Sequence, residues 1–227
     1  MNLLGLDTST ATTAACLLRD DGEAFEVVPS PDALFGRPGH ARELMPALAR
    51  VVGHAGLGFA DVDGVAAGLG PGTFTGLRIG IATARAIASA RSLPAYGVSS
   101  LAVLAEGVGR DPVLAAIDAR RGEVFAALYE SGEERWAPFV ARPDELAGRV
   151  GEAGEALVAV GDGTVRFRAE LEAAGVRVPA GDDPRHVVRA LHVCRLATRV
   201  PAVAPEALLP EYLRRPDAVP TSPTPPP

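Results

Sequence analysis

Short apolar runs separated by polar turns fill the first hundred residues. Residues 29–39 hold three prolines and two glycines and are expected to form a loop. Leu44 and Leu48 belong to a set of apolar residues at helical spacing, which predicts a helix over 40–53. The predicted strands are 2–7, 12–19, 23–28, 62–68 and 94–98. The other predicted helices are 75–91 and 100–107.

The second half of the chain repeats the pattern of the first. Its predicted strands are 113–118, 123–130, 135–140 and 157–160. Its predicted helices are 143–150, 164–174 and 185–200. LLGLDTSTATTAACLL aligns without gaps on LAAIDARRGEVFAALY, which places Asp7 on Asp118 between a strand and a turn. We interpret this as the duplication of a β-β-β-α-β-α unit. The chain is therefore predicted to be an α/β protein of two lobes, each a mixed sheet flanked by helices.

The repeat also predicts the domain boundaries. We expect a first lobe over 1–105 and a second over 106–215, with the helix at 185–200 packing back on the first lobe. Residues 216–227 include six prolines and no apolar run. Such a segment cannot bury enough surface to order itself, so a disordered tail is expected.

Composition and charge narrow the classes of function. The net charge is −6 and the pI about 5.3, so a protein that grips RNA by itself is disfavoured. No apolar run has membrane-spanning length and no signal peptide is visible, which favours the cytoplasm and no membrane. Cys16 and Cys194 have apolar neighbours and no metal-like spacing, so buried free thiols are expected.

The two strand–acid–turn–strand openings resemble the actin, chaperone and sugar-kinase superfamily, in which such turns hold nucleotide phosphates across a cleft. The candidates for a phosphate loop in the first turn are Asp7, Thr8, Ser9 and Thr10. The alternative is a polar hairpin turn whose side chains bind their own backbone. In the second turn, Arg120 and Arg121 follow Asp118 and do not resemble a catalytic phosphate loop.

The segment GLGPGTFTGLRIG, residues 68–80, is the most distinctive motif. Its turn comprises Gly70, Pro71, Gly72, Thr73 and Thr75. The glycines give the backbone freedom, the proline stiffens it, and either threonine could cap the following helix. No Gly-Lys-Ser/Thr follows, so it is not a P-loop.

The helix after this turn carries a stripe of small residues. Gly76, Gly80, Ala84 and Ala88 lie four apart and share one face. Glycine inside a soluble helix costs about 1 kcal/mol relative to alanine, so another backbone must come close there. Packing against the sheet and a helix–helix subunit interface both explain the stripe. We predict the interface, formed by helices 40–53 and 75–91 with Leu44, Leu48, Gly76, Gly80 and Ala84.

Five segments occur in an order that resembles one family. They are DTST, HARELMP, GPGTFTGLRIG, DARRGEVF and PEYLRR, from Asp7 to Arg215. Together they look like the TsaB family, the tRNA threonylcarbamoyladenosine biosynthesis subunit, which often carries the older label glycoprotease-like. The resemblance implies two tandem actin-like, ribonuclease-H-like lobes.

It also implies partners. A catalytic paralogue binds metal and ATP and adds threonylcarbamoyl to the N6 of the adenosine next to the tRNA anticodon, and a small ATPase joins the pair. The subunit resembled here is non-catalytic and holds the catalytic one. The expectation is then contact with tRNA only through the complex, no metal, no tightly bound cofactor, and at most weak nucleotide binding. At high concentration, a second copy of this chain could replace the paralogue as a homodimer.

The residues agree with the loss of catalysis. The paralogue has two histidines four residues apart on its first helix as metal ligands, whereas here His40 is followed four residues later by Leu44. The turn with Gly161 and Gly163 lacks the run of glycines of an adenosine pocket. We therefore predict no catalytic and no metal-binding residue. Two alternatives stay open, an ATP-dependent phosphotransferase with its own cleft and a metallopeptidase.

Overall fold

The computed structural model describes residues 1–109, 112–153 and 157–214, and two mixed sheets organise them. The first sheet consists of β1 (Leu3–Asp7), β2 (Ala14–Leu18), β3 (Ala24–Val27), β4 (Gly64–Gly68) and β5 (Ala95–Val98). Three helices alternate with its strands: α1 (His40–His54), α2 (Phe74–Arg91) and α3 (Ser100–Glu106). The predicted tail at 216–227 lies outside the described residues.

The second sheet consists of β6 (Val113–Arg120), β7 (Glu123–Glu130), β8 (Glu133–Ala141) and β9 (Val158–Val160). Its helices are α4 (Pro143–Ala153), α5 (Asp162–Arg166) and α6 (Arg168–Ala173), and the last helix of the described chain is α7 (Ala190–Ala197). Short 3-10 turns lie at Pro31–Ala33, Phe59–Asp61, Pro184–His186 and Pro205–Ala207.

The two sheets share one topology. The strand orders are β3-β2-β1-β4-β5 and β8-β7-β6-β9. In each, an antiparallel meander of three strands is followed by a parallel strand beside the first one. Asp7 pairs with Ala14 and Asp118 with Val124, so the two acids hold equivalent places in their hairpins. The predicted fold class and the internal duplication are confirmed.

Alternation along β1 divides the core into layers. Leu4 and Leu6 point to α1 and α2 on the outer face of the first sheet. Leu3 points the other way, into a cluster that includes Ile117 of the second sheet and Val193 of α7. The middle layer of α3 and α7 therefore packs against both sheets. A third cluster fills the outer face of the second sheet under α4 and α6.

The last helix lies on the first sheet. Gly5 of β1 faces α7 and leaves no room for a Cβ beside the Cys194 sulfur. The Arg189 guanidinium forms an ion pair with Glu26 of β3, whose other oxygen accepts a hydrogen bond from the Leu191 backbone at 3.0 Å. The lobe boundary near residue 105 stays a prediction, because this middle layer is common to both sheets.

Two predicted helices are shorter than expected. The helix predicted over 185–200 is regular only in α7, because Arg189 is extended and Asp183 caps a separate 3-10 turn before it. The helix predicted over 164–174 is divided at Phe167, whose φ of −111° and ψ of 35° end α5. Within the described ranges, no helix combines the length and apolarity needed to cross a membrane.

Candidate functional site

The first hairpin turn, which follows β1, holds a buried carboxylate. The Asp7 Oδ1 atom accepts hydrogen bonds from the Ser9 backbone at 2.7 Å and the Ser9 hydroxyl at 2.6 Å. Its Oδ2 atom accepts one from the Ser100 hydroxyl at 2.7 Å, at the start of α3. Burial raises the pKa of Asp7, while the bonds from Ser9 and Ser100 oppose that shift. The carboxylate therefore points into the protein and ties β1 to α3.

The other candidates for a phosphate loop are also buried. The Thr8 hydroxyl donates to the Gly76 carbonyl of α2 at 2.7 Å. The Thr10 and Thr12 hydroxyls lie 3.1 Å apart, within hydrogen-bonding distance. Ser9 is fully buried. These contacts are those of a polar turn satisfied by its own surroundings, and the vestigial phosphate role of Asp7 to Thr10 stays a prediction.

The glycine-rich turn packs on this hairpin. The Thr73 backbone donates to the Ser9 carbonyl at 2.7 Å, and a Cβ at Gly72 would overlap the Ser9 backbone. Gly70 has a φ of 103°, which favours glycine, and follows in sequence the strand that ends at Gly68. Thr73 is the residue before the helix but its side chain makes no capping bond, and Thr75 lies inside the helix. Thr73 therefore occupies the predicted N-cap position but does not cap the helix through its side chain.

The five residues predicted to form a partner interface lie inside the lobe. A Cβ at Gly76 would meet the Thr8 carbonyl, and one at Gly80 would meet the Thr8 hydroxyl. Ala84, Leu44 and Leu48 are at most 1% exposed and belong to the outer core of the first sheet. The backbone that approaches the stripe is thus that of the β1–β2 turn. This corrects the residue list, whereas an interface on the outward faces of the same two helices stays a prediction.

Those outward faces carry an exposed aromatic patch. Phe74 is 50% exposed and stacks on Tyr212, 43% exposed, with ring centroids 5.5 Å apart. The Arg78 guanidinium lies 3.8 Å from the Phe74 centroid, and its Nε donates to the Tyr212 hydroxyl at 3.2 Å. Met45 of α1 is 49% exposed. We call Phe74, Arg78 and Tyr212 the outer patch.

A groove of about 550 Å³ continues the outer patch along α2. It is lined by Arg78, Ile81, Ala82, Arg85, Pro210 and Tyr212. This surface was not among the predicted sites, although the GPGTFTG and PEYLRR segments that contribute Phe74 and Tyr212 stand out in the sequence. The presence of one aromatic residue in each of these two segments could have indicated the surface.

A phosphate loop needs hydrogen-bond donors that are free to bind a ligand. In the second hairpin, arginine side chains bind the Asp118 carboxylate instead. The Asp118 Oδ2 atom accepts from Arg120 at 3.0 Å and from Arg166 at 3.1 Å. Arg120 and Arg121 both have positive φ, 63° and 57°, which is uncommon for residues with a Cβ. Asp162 accepts from the Asp118 backbone at 3.0 Å, and burial, reinforced by the Asp118 charge, raises its pKa to about 6. The carboxylates of Asp118 and Asp162 therefore accept hydrogen bonds from groups of the protein itself.

Two of the four histidines, His40 and His186, also have structural partners. His40 Nδ1 lies 2.9 Å from the Thr13 hydroxyl and Nε2 lies 3.1 Å from the Thr10 carbonyl, and burial lowers its pKa. His186 Nδ1 accepts from the Gly161 backbone at 3.2 Å. Throughout 1–109, 112–153 and 157–214, no three His, Cys, Asp or Glu side chains are grouped to hold a metal ion.

Known proteins resemble both the sequence and this arrangement. The family model described as TsaD, tRNA N6-adenosine threonylcarbamoyltransferase, matches residues 36–165. The tRNA threonylcarbamoyladenosine biosynthesis protein TsaB of Escherichia coli (strain K12) is 32% identical, over 94% of this chain and 95% of that protein. The chain belongs to the TsaB family.

Further relatives of the TsaB family match over similar lengths. An uncharacterized protein of Mycobacterium tuberculosis (strain ATCC 25618 / H37Rv) is 36% identical, over 96% of this chain and 94% of its own. The solved structure of YeaZ from Pseudomonas aeruginosa has a TM-score of 0.74 at 30% identity and covers 93% of this chain and 100% of that one. The chain is thus a protein of tRNA threonylcarbamoyladenosine biosynthesis, built on two mixed sheets flanked by helices.

Proposed function

We propose that this chain is the non-catalytic subunit that binds and supports the catalytic paralogue in the complex that adds threonylcarbamoyl to tRNA. The observation that carries the proposal is the engagement of both hairpin carboxylates. Asp7 accepts from three donors inside the protein, and Asp118 is shared by two arginines. The subunit then has no tightly bound cofactor or metal of its own, and nucleotide binding is weak at most.

The geometry weighs against the two alternatives. A phosphotransferase needs a carboxylate with free lone pairs near the reacting phosphate or its metal. Asp7 is buried, and both of its oxygens already accept hydrogen bonds from Ser9 and Ser100. A metallopeptidase needs about three protein ligands for its metal, and His40 is already held between Thr13 and Thr10.

The outer patch supports a protein partner. Aromatic residues and arginine contribute most of the binding energy in many interfaces. Phe74 and Tyr212 are about half-exposed, their rings stack, and the Arg78 guanidinium lies over the Phe74 ring. The expected occupant is the equivalent pair of helices of the paralogue, with the small ATPase joining the pair. A second copy of this chain would compete at high concentration. With a net charge of −6, contact with tRNA is through the complex, in the cytoplasm.

Asp7→Asn tests the proposal. Asparagine keeps the shape and an oxygen for the Ser9 donors, so the complex should retain its tRNA threonylcarbamoylation rate in a reconstituted assay with the paralogue and the small ATPase. A catalytic carboxylate would instead cost about 10²–10⁴-fold. Melting of the isolated chain is the second measurement. A rise of several degrees with Mg-ATP but none with the paralogue would favour a working kinase cleft and contradict the scaffold.

A further inference from the structure

Two arginines flank apolar residues in the groove that runs along α2. We call this groove the basic groove, and its lining comprises Arg78, Ile81, Ala82, Arg85, Pro210 and Tyr212. Arg78 and Arg85 lie two helical turns apart, so they share one side of α2 at a separation of about 10.5 Å along its axis. Ile81 and Ala82 lie between them, and Ile81 is buried. The basic groove therefore combines an apolar middle with a cationic side chain on either side.

Both arginines of the basic groove keep hydrogen-bond donors free. Arg78 uses its Nε, which donates to the Tyr212 hydroxyl at 3.2 Å, and its guanidinium lies over the Phe74 ring. These two contacts hold the group in place and leave its terminal nitrogens without an acceptor in the described ranges. Arg85 forms neither a side-chain hydrogen bond nor an ion pair with any residue that the structure describes. The available donors can thus bind an acceptor that another molecule supplies.

The two outer helices are basic as a pair. Together, α1 and α2 contain one acidic residue, Glu43, and five arginines: Arg42, Arg50, Arg78, Arg85 and Arg91. Within residues 1–109, 112–153 and 157–214, none of these five arginines forms an ion pair, whereas Arg189 and Arg199 each bind a glutamate. The net charge of the chain is −6, so this surface has the opposite sign to the molecule as a whole. Such a surface complements a partner surface rich in carboxylates.

We propose that the basic groove binds a helix of the partner subunit on which two carboxylates, two turns apart, pair with Arg78 and Arg85, an inference that rests on the proposed function. The planar guanidinium group matches a carboxylate with two parallel hydrogen bonds. The apolar residues between the arginines pack against the apolar side of the same helix. RNA fits less well, because the side chains of Ile81, Ala82 and Pro210 offer no donor to a phosphate or a base.

The same charges discriminate between the two candidate partners. In a twofold dimer, the same surface of both copies meets across the axis, so a second copy of this chain brings the arginines of α1 and α2 toward one another. Like charges that face each other across an interface are unfavourable. The basic groove therefore favours an acidic helix of the paralogue, and a second copy of the chain competes only at high concentration.

Arg85→Glu tests the role of charge in the basic groove. Arg85 makes no internal bond, so the melting temperature should not change, whereas the affinity for the paralogue in calorimetric titration should fall about 10–100-fold. Self-association in sedimentation experiments should be equal or stronger, because the introduced carboxylate reduces the repulsion between copies. Arg195→Glu is the matched control. It reverses the charge of an exposed arginine on α7 and should change the affinity less than about twofold.

The outcomes separate this inference from the proposed function. If the unaltered chain fails to bind the paralogue, the proposed function fails. If it binds and Arg85→Glu binds as well as the Arg195→Glu control, the basic groove inference is overturned while the proposed function stands. A variant that loses both paralogue binding and self-association would indicate damaged packing and would also overturn it. So would tRNA binding by the unaltered chain alone that Arg85→Glu abolishes, because the basic groove would then be an RNA surface.

Discussion

At the scale of single residues, burial and a paired charge shift the pKa values of two aspartates in opposite directions. Asp162 accepts a hydrogen bond from the Asp118 backbone, and burial raises its pKa to about 6. Asp183 shows the opposite case. The Arg185 side chain donates to it at 2.9 and 2.7 Å and lowers its pKa to about 2. Similar side chains therefore make opposite contributions to stability as the pH changes.

The pH dependence of unfolding tests this contrast. The folded-state pKa of Asp162 is above its ordinary value of 3.8, so its contribution is full below about pH 4 and is lost as the pH rises through about 6. Asp162→Asn keeps an oxygen for the Asp118 backbone without the charge. It should match the wild type at about pH 4 and exceed its free energy of unfolding by about 1–3 kcal/mol at about pH 8.

Urea unfolding at a series of pH values measures the difference. Asp183→Asn is the control of opposite sign. Its folded-state pKa is lowered, so its contribution is present at neutral pH and disappears only as the pH falls through about 2. That variant should lose stability at neutral pH. Parallel curves for Asp162→Asn and the wild type would show that Asp162 is not perturbed.

At the scale of elements, the two faces of α2 have different tasks. The inner face, with Gly76 and Gly80, touches the β1–β2 turn so closely that no Cβ fits. The outer face, with Ala82, lines the groove beside the outer patch. The small residues thus bring the glycine-rich turn and the Asp7 hairpin together, and the exposed side chains are left to meet a partner.

A pair of leucine substitutions separates these tasks. Gly80→Leu forces a side chain onto Thr8 and should lower the free energy of unfolding by about 1–3 kcal/mol or more, with a clear drop in melting temperature. Ala82→Leu adds the same side chain on the exposed face and should leave melting almost unchanged but weaken binding to the paralogue. Normal melting of Gly80→Leu would refute the internal packing, and unaltered affinity of Ala82→Leu would remove the groove from the interface.

Local patterns in the sequence predicted the elements and their duplication, because apolar spacing reflects which face of each element is buried. These patterns did not predict which part of the molecule packs against the buried face of each element. The small-residue stripe is equally compatible with contact to a partner subunit and with contact to the β1–β2 turn. Only the tertiary packing distinguishes these two contacts. The bond from Ser100 to Asp7 joins residues 93 apart, so no local pattern could reveal it.

At the scale of the whole molecule, one helix from late in the chain completes the core of the first sheet. α7 covers Gly5 of β1 and lies beside Cys16 of β2, and Arg189 before it neutralises Glu26 of β3. Its apolar residues share one cluster with both sheets. The protein is therefore joined by a common middle layer, and its two halves are not independent modules.

A chain that ends at Asp183 tests this dependence. It lacks α7 but retains the nine strands of the described residues, and it should show no cooperative unfolding transition because the inner face of the first sheet stays uncovered. Far-UV circular dichroism during urea unfolding measures this. Adding a separate peptide of residues 184–214 should restore the transition if α7 alone is missing. A cooperative transition without the peptide would show that the first lobe folds by itself.

The position of α7 also bears on how the protein is made. The ribosome synthesises β1 and β2 well before α7, the helix that shields them, which begins only at Ala190. For most of its synthesis the nascent chain therefore carries an apolar sheet face open to water, and such surface is prone to aggregate or to attract chaperones. The inner face of the first sheet can be buried only after α7 has been synthesised, and not when either half of the chain is complete.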